Sequence, residues 1–356
     1  MIGGSIEIPA QDMSLIERLE TLHKEGLQAF QISVSNKATF TLGTPMSEEQ
    51  AKAIKAFCQR TGSYLVVHSK YVLNMARKDC GHQIDVLAHE LSQSARIDAD
   101  LVLHMGKNLE GLSRLEAIDT YVANISKALA QTASSNRILL ETSAHQGQEF
   151  GYSLRELAYI FHQFSEEDQT RIGLCLDLCH VFVAGELEVR KAEAVEAYFE
   201  EFAELIGLEH LRCIHYNDSA VPFDSHNDHH ADIGLGYIGN PSLGGSVDGF
   251  RVVAERANKH NIPIIFETPC TYKECDLLQQ AKIVRGWALG NNEPYEAFIK
   301  ANPSLAQIAS MDLSSGKKRQ HCEHHEPPPS SSPSLPKITI KAKAITKPKI
   351  TIKAKA

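Results

Sequence analysis

The chain has 356 residues, 43% hydrophobic and 22% charged, with a formal net charge of −8 at pH 7. That balance fits a folded globular protein, and no run of about 18 apolar residues offers a transmembrane helix. Its eight scattered cysteines give no small-domain disulfide framework, and MIGGSIEIPAQ at the start shows neither a basic nor an apolar signal region, so a reduced, intracellular setting is expected.

The predicted elements alternate. Strands are expected near 2–8 (IGGSIEI) and 27–34 (LQAFQISV). A helix follows over 47–62, with Ser47 as N-cap, two acids in its first turn and Gly62 at its end. Then come YLVVH, ending on His68, a helix over 82–98, DLVLH, ending on His104, and a helix over 113–133. RILLE ends on Glu141 before a helix over 153–164; GLCLD ends on Asp177, with His180 three residues on, before a helix over 191–207. LRCIH ends on His215, a helix covers 250–261, and IPIIFE ends on Glu267.

Short runs rich in Val, Ile and Leu are the pattern of strands buried on both faces of a parallel sheet. Their terminal residues lie 36, 37, 36, 38 and 52 apart, about the length of one strand–helix–strand unit. Eight such units predict a (β/α)8 TIM barrel over residues 1–312, a fold that gathers all strand ends on one face. Six strands ending in His, Asp or Glu therefore converge in space. The loop SHNDHHADIGLGYIG (225–239) adds His226, Asp228, His229, His230 and Asp232 to that face. Imidazoles and carboxylates together suit zinc or manganese, and four carboxylates in one pocket repel one another unless cations sit between them. Cys175, Cys179 and Cys213 lie beside strand ends and are read as buried structural thiols rather than ligands.

Charge is unevenly placed. From Leu313 onward there are ten Lys and Arg and two Glu, leaving 26 Lys and Arg against 42 Asp and Glu in the body. Residues 313–356 are read as a disordered Pro/Ser-rich linker and a basic tail, in which PKITIKAKA occurs at 336–344 and again at 348–356. That tail is either a solvated extension or an electrostatic arm for nucleic acid. HCEHH (321–325) is metal-capable by composition only.

The residues around the strand ends resemble the endonuclease IV family of apurinic/apyrimidinic endonucleases, a branch of the xylose-isomerase-like barrels. The resemblance lies in VVHSKYVLN, VLHMG, ILLETSAHQGQEFG, GLCLDLCHVFVAG, CIHYNDS, DHHADIGLGYIG and IIFETP, and covers about residues 2–290. It implies a trinuclear zinc site, with manganese an option at one position. One zinc falls to His68, His104 and Glu141, a second to Glu141, Asp177, His215 and Glu267, and a third to His180, Asp228 and His230. Glu141 bridges the first two, and Glu267 orients or partly deprotonates the nucleophile, so these two are the implied catalytic residues. Asp228 and His230 are placed by their distance from Gly234, which leaves His226 and His229 as bystanders. The implied reaction is hydrolysis 5′ to an abasic site in double-stranded DNA, leaving a 3′-hydroxyl, with 3′-phosphatase, 3′-phosphodiesterase or 3′–5′ exonuclease activity as optional companions; the expected assembly is a monomer.

Tyr71 matches the family's aromatic wedge into DNA. Lys37 stands one position before the place of the family's DNA-entering Arg, which Ala38 occupies here. Ser69 replaces the usual Asp after the first ligand, HMGKN replaces an HPGSH-like run, and Thr-Ser-Ala-His (142–145) replaces Asn-Thr-Ala-Gly. No candidate ligand is lost. The alternative on the same barrel is a metal-dependent sugar isomerase or epimerase, which needs no third set such as His180, Asp228 and His230.

Overall fold

The computed structural model describes residues 1–314. Seven parallel strands follow one another: β1 (Ile2–Ser5), β2 (Ala29–Ile32), β3 (Tyr64–His68), β4 (Asp100–His104), β5 (Ile138–Glu141), β6 (Ile172–Asp177) and β7 (Leu211–His215). After β7 the chain forms a small antiparallel pair, β8 (Asp218–Ser219) with β9 (His230–Ala231). An eighth barrel strand, β10 (Ile264–Phe266), pairs with both β7 and β1 and closes the ring. The expected (β/α)8 barrel is therefore the observed one.

The expected helices lie where hydrophobic spacing and end signals place them. Glu48–Thr61 is capped by Ser47, whose side chain accepts from Gln50 N while Gln50 reaches back, and it ends at Gly62 with φ 67°. Arg114–Ala130 repeats the capping box with Ser113 and Glu116. The helices Ser14–Lys24, Leu178–Val183, Leu277–Ala288, Glu293–Ala301 and Leu305–Ser314 were not among the predicted elements. The first buries Leu15, Leu19 and Leu22 at helical spacing, so its pattern was present but short. Among the described residues no helix is long and apolar enough to cross a membrane. HCEHH and both copies of PKITIKAKA lie outside the described residues.

The barrel interior explains the strand endings. Ala29, Val66, Val102, Leu139, Cys175, Cys213 and Ile265 form one apolar cluster, separate from the larger core beneath the helices. Side chains two apart on a strand share a face. Two residues beyond each member stand Gln31, His68, His104, Glu141, Asp177, His215 and Glu267. A polar layer thus sits directly on an apolar floor. Tight closure shows at β1, where a Cβ on Gly3 would fall 1.7 Å from the Ala29 carbonyl oxygen.

Candidate metal centre

Among the described residues five groups of potential ligand atoms collect near that floor, each with its members within 4.8 Å of one another; two include a cysteine (Cys175 and Cys213 with His215, Cys179 with Asp177 and His230) and three consist of His, Asp and Glu alone. These three are His68, His104 and Glu141; Glu141, Asp177, His215 and Glu267; and His180, Asp228 and His230. Glu141 belongs to two of them. Its Oε2 lies 3.4 Å from His68 Nε2 and 3.1 Å from His104 Nε2, and its Oε1 lies 2.8 Å from His215 Nδ1. His215 Nδ1 is also 3.1 Å from Glu267 Oε2 and 3.8 Å from Asp177 Oδ2. In the third group, Asp228 holds His180 Nε2 at 3.1 Å and His230 Nε2 at 3.2 Å.

Hydrogen bonds fix how these rings point. A backbone carbonyl can only accept, so each imidazole nitrogen facing one carries the proton. His68 Nδ1 donates to Ser69 O at 2.8 Å, His180 Nδ1 to Thr142 O at 2.7 Å, and His230 Nδ1 to Glu267 O at 3.3 Å. All three rings therefore turn Nε2 inward. Asp177 caps the helix Leu178–Val183 by accepting from His180 N at 2.9 Å, which ties the second group to the third. The loop carrying Asp228 and His230 is anchored by Asp218, whose buried carboxylate accepts from the backbone N–H groups of Gly234, Gly236, Ile238 and Gly239.

The donor set fits divalent cations. Glu141 Oε2, Asp228 Oδ1, His180 Nε2 and His230 Nε2 are buried and make no hydrogen bond, although each faces another donor of its group. Ligands at about 2.0–2.1 Å in a tetrahedral array stand about 3.4 Å apart, close to the spacings found here. Most of the centre is sealed: His68, Glu141, Asp177 and His215 are buried, whereas the side chains of His104 and Asp228 are 33% and 31% exposed. Approach from outside is on that side.

The carboxylates of the centre pull the imidazoles they face toward their protonated forms. Burial works to lower the His215 pKa, but Glu267 and Glu141 outweigh it and carry it up to about 10. His230 is likewise carried to about 9, against burial, by Asp228 and Asp177. Burial works to raise Glu267, yet the imidazoles, His215 first, hold it down at about 2. These carboxylates favour the protonated form of both imidazoles while no cation is bound, and a cation requires their neutral form. Cation uptake at pH 7 is expected to release protons, and apparent affinity is expected to rise with pH toward 9–10 and then level off. Zinc titration by calorimetry in buffers of different ionisation enthalpy checks this.

The other candidate residues lie around this centre. Tyr71, on the lip and 37% exposed, rests against the rings of His68 and His104, at 5.1 and 5.4 Å between centroids. Lys37 Nζ donates to the Tyr71 hydroxyl at 3.0 Å, so it braces the aromatic. His226 pairs with Asp224 at 3.2 Å, and His229 is exposed; neither belongs to a group of ligand atoms found here. Cys175 and Cys213 come within 4.8 Å of a His215 nitrogen, but they belong to the apolar floor, and burial keeps the Cys175 thiol protonated.

Sequence reasoning missed three supporting side chains. Thr142 Oγ1 accepts from Asp177 N at 2.9 Å. Asn217 Nδ2 donates to Asp177 Oδ2 at 2.7 Å, while its Oδ1 accepts from Glu267 N at 2.8 Å. Gln31 bridges His215 and Glu267. Only Gln31 carried a signal, as an amide inside an otherwise apolar strand.

Known proteins show the same frame. A family model described as "Xylose isomerase-like TIM barrel" matches residues 19–247. A "Probable endonuclease 4" of Chloroflexus aurantiacus is 35% identical over 250 residues, covering 68% of this chain and 84% of the relative. The endonuclease 4 relative from Acanthamoeba polyphaga mimivirus is 32% identical over 238 residues, covering 63% of this chain and 74% of its own. Endonuclease IV from Thermus thermophilus superposes with a TM-score of 0.66 at 23% identity, over 81% of this chain and 99% of that one, a likeness of fold. The chain belongs to the endonuclease IV family of apurinic/apyrimidinic endonucleases, within the xylose isomerase-like TIM barrels.

Proposed function

We propose that the protein is a zinc-dependent apurinic/apyrimidinic endonuclease that hydrolyses the phosphodiester 5′ to an abasic site in duplex DNA and leaves a 3′-hydroxyl. The observation that carries this reading is that the His, Asp and Glu donors form three cysteine-free groups among the described residues, two of them sharing Glu141. Three zinc positions follow, held by His68, His104 and Glu141, by Glu141, Asp177, His215 and Glu267, and by His180, Asp228 and His230. Zinc bound there supplies Lewis acidity to the phosphate and a nucleophile from water at neutral pH.

The chain's own residues do the rest. Glu267 has its backbone held by Asn217 and its side chain by Gln31, so its carboxylate stays oriented at the edge of the second group. The third group stands at the more open side, where Asp228 is partly exposed and a phosphate would enter. Tyr71, braced by Lys37, forms the rim of the same mouth and is the residue placed to fill the gap in a base stack. An abasic sugar leaves the stack at little cost, which favours its entry into the mouth over that of a paired nucleotide. The third group is also what a sugar isomerase on this barrel does not require.

Metal removal tests the reading. Brief EDTA in the assay is expected to leave incision of an abasic duplex intact, because most donors are buried. Prolonged chelation is expected to abolish it, and added zinc to restore it. Incision that persists after metal analysis shows less than one ion per chain contradicts the proposal.

A further inference from the structure

Gln31 is the β2 member of the polar layer. It is fully buried, and both ends of its carboxamide are used. Its Nε2 donates to Glu267 Oε1 at 2.5 Å, and its Oε1 lies 2.8 Å from His215 Nε2. The two partners come from β7 and from the residue after β10, so the amide spans the barrel interior.

The chemistry fixes each atom in turn. Ionised Glu267 only accepts, so the NH2 end of Gln31 must face it; the reversed amide would set oxygen against oxygen at hydrogen-bond distance. The amide oxygen therefore faces His215. An amide oxygen also only accepts, so His215 Nε2 carries a proton in every charge state. Nδ1 is then the one nitrogen of this ring that can give up its proton, and it is the one facing Glu141, Asp177 and Glu267. His68, His180 and His230 are oriented by backbone carbonyls and turn Nε2 inward. His215 is turned the other way: its Nδ1 meets Glu141 inside the centre, and Gln31 is the side chain that meets its Nε2.

We infer that Gln31 is a positioning residue: its carboxamide locks His215 in the Nε2-protonated tautomer and fixes the rotation of Glu267, so that His215 takes its cation through Nδ1. The inference rests on the proposed reading of the centre. A partner of this kind typically changes metal affinity about 10–100-fold when removed.

The test uses the full chain without DNA. Zinc affinity is measured by competition with a chromophoric chelator, and the His215 ring by 15N spectroscopy of the zinc-loaded protein. Wild type should show a protonated Nε2 and a metal-bound Nδ1. Gln31→Met keeps the length and removes both hydrogen bonds. It should weaken one zinc equivalent by about 10–100-fold and displace the His215 Nε2–H signal, with the His180, Asp228 and His230 position unchanged. Gln31→Glu retains an acceptor for His215 but no donor for Glu267. It should keep the Nε2-protonated signature while still weakening zinc, and it serves if the Met variant fails to fold. Either variant, folded, with wild-type zinc affinity and an unchanged His215 spectrum, overturns the inference. A wild-type protein that binds no zinc overturns instead the reading of the centre, before any variant is compared.

Discussion

Glu141→Gln is expected to leave the protein with one firmly bound zinc per chain and to reduce incision of an abasic duplex by about three orders of magnitude or more. The change is nearly isosteric, so the barrel should fold. What it removes is the negative charge and one acceptor from the carboxylate that meets His68 and His104 on one oxygen and His215 on the other. The imidazoles of the first two groups would then face an amide that cannot serve two cations. His180, Asp228 and His230 form their own group and should keep their ion. Metal content by mass spectrometry, together with single-turnover incision, reads both halves of this outcome. Three ions bound with only a modest loss of rate would remove Glu141 from its bridging role.

His180→Ala should do the converse. Its ring stands on the short helix after β6, with Nδ1 spent on Thr142 and Nε2 turned to Asp228. Removing it empties one side of the third group and leaves the pair that shares Glu141 intact. Incision is expected to fall by about 10²–10³, the usual scale for losing one electrostatic stabiliser of a transition state, while two ions remain bound. This substitution separates a nuclease from a sugar enzyme on the same barrel. A protein whose activity is untouched by His180→Ala would have no use for a third cation position.

Why the strand-end donors were legible is a matter of geometry. A parallel barrel strand is apolar on both faces until it emerges at its C-terminal end, so a His, Asp or Glu that closes such a run must lie at the mouth. His68, His104, Glu141, Asp177 and His215 end their strands in the structure, and Glu267 follows immediately after Phe266. Gln31 escaped because it is internal to its apolar run. Its place in the layer depends on the pleat, which sets it two residues beyond Ala29 on the inward face. Asn217 and Thr142 escaped for another reason. Each acts through a hydrogen bond to a residue distant in sequence, and no spacing within one segment encodes that.

The loop after β8 shows a further limit. His226, Asp228, His229 and His230 are alike in composition, and only the resemblance separated them. In the structure the loop's path is set by Asp218 gathering backbone N–H groups from Gly234 to Gly239. That path turns Asp228 and His230 toward His180 and leaves His226 with Asp224. The short helix Ser14–Lys24 was readable in principle, since Leu15, Leu19 and Leu22 mark its buried stripe.

The measurement that tests the central claim most directly is an incision assay on a duplex with one abasic-site analogue beside the same duplex undamaged, with the position and chemistry of the new ends determined. The account predicts a single nick immediately 5′ to the lesion, a 3′-hydroxyl that a polymerase extends, and no cut in the undamaged strand. Zinc-loaded protein that leaves the abasic strand whole, or cuts both duplexes alike, would contradict it.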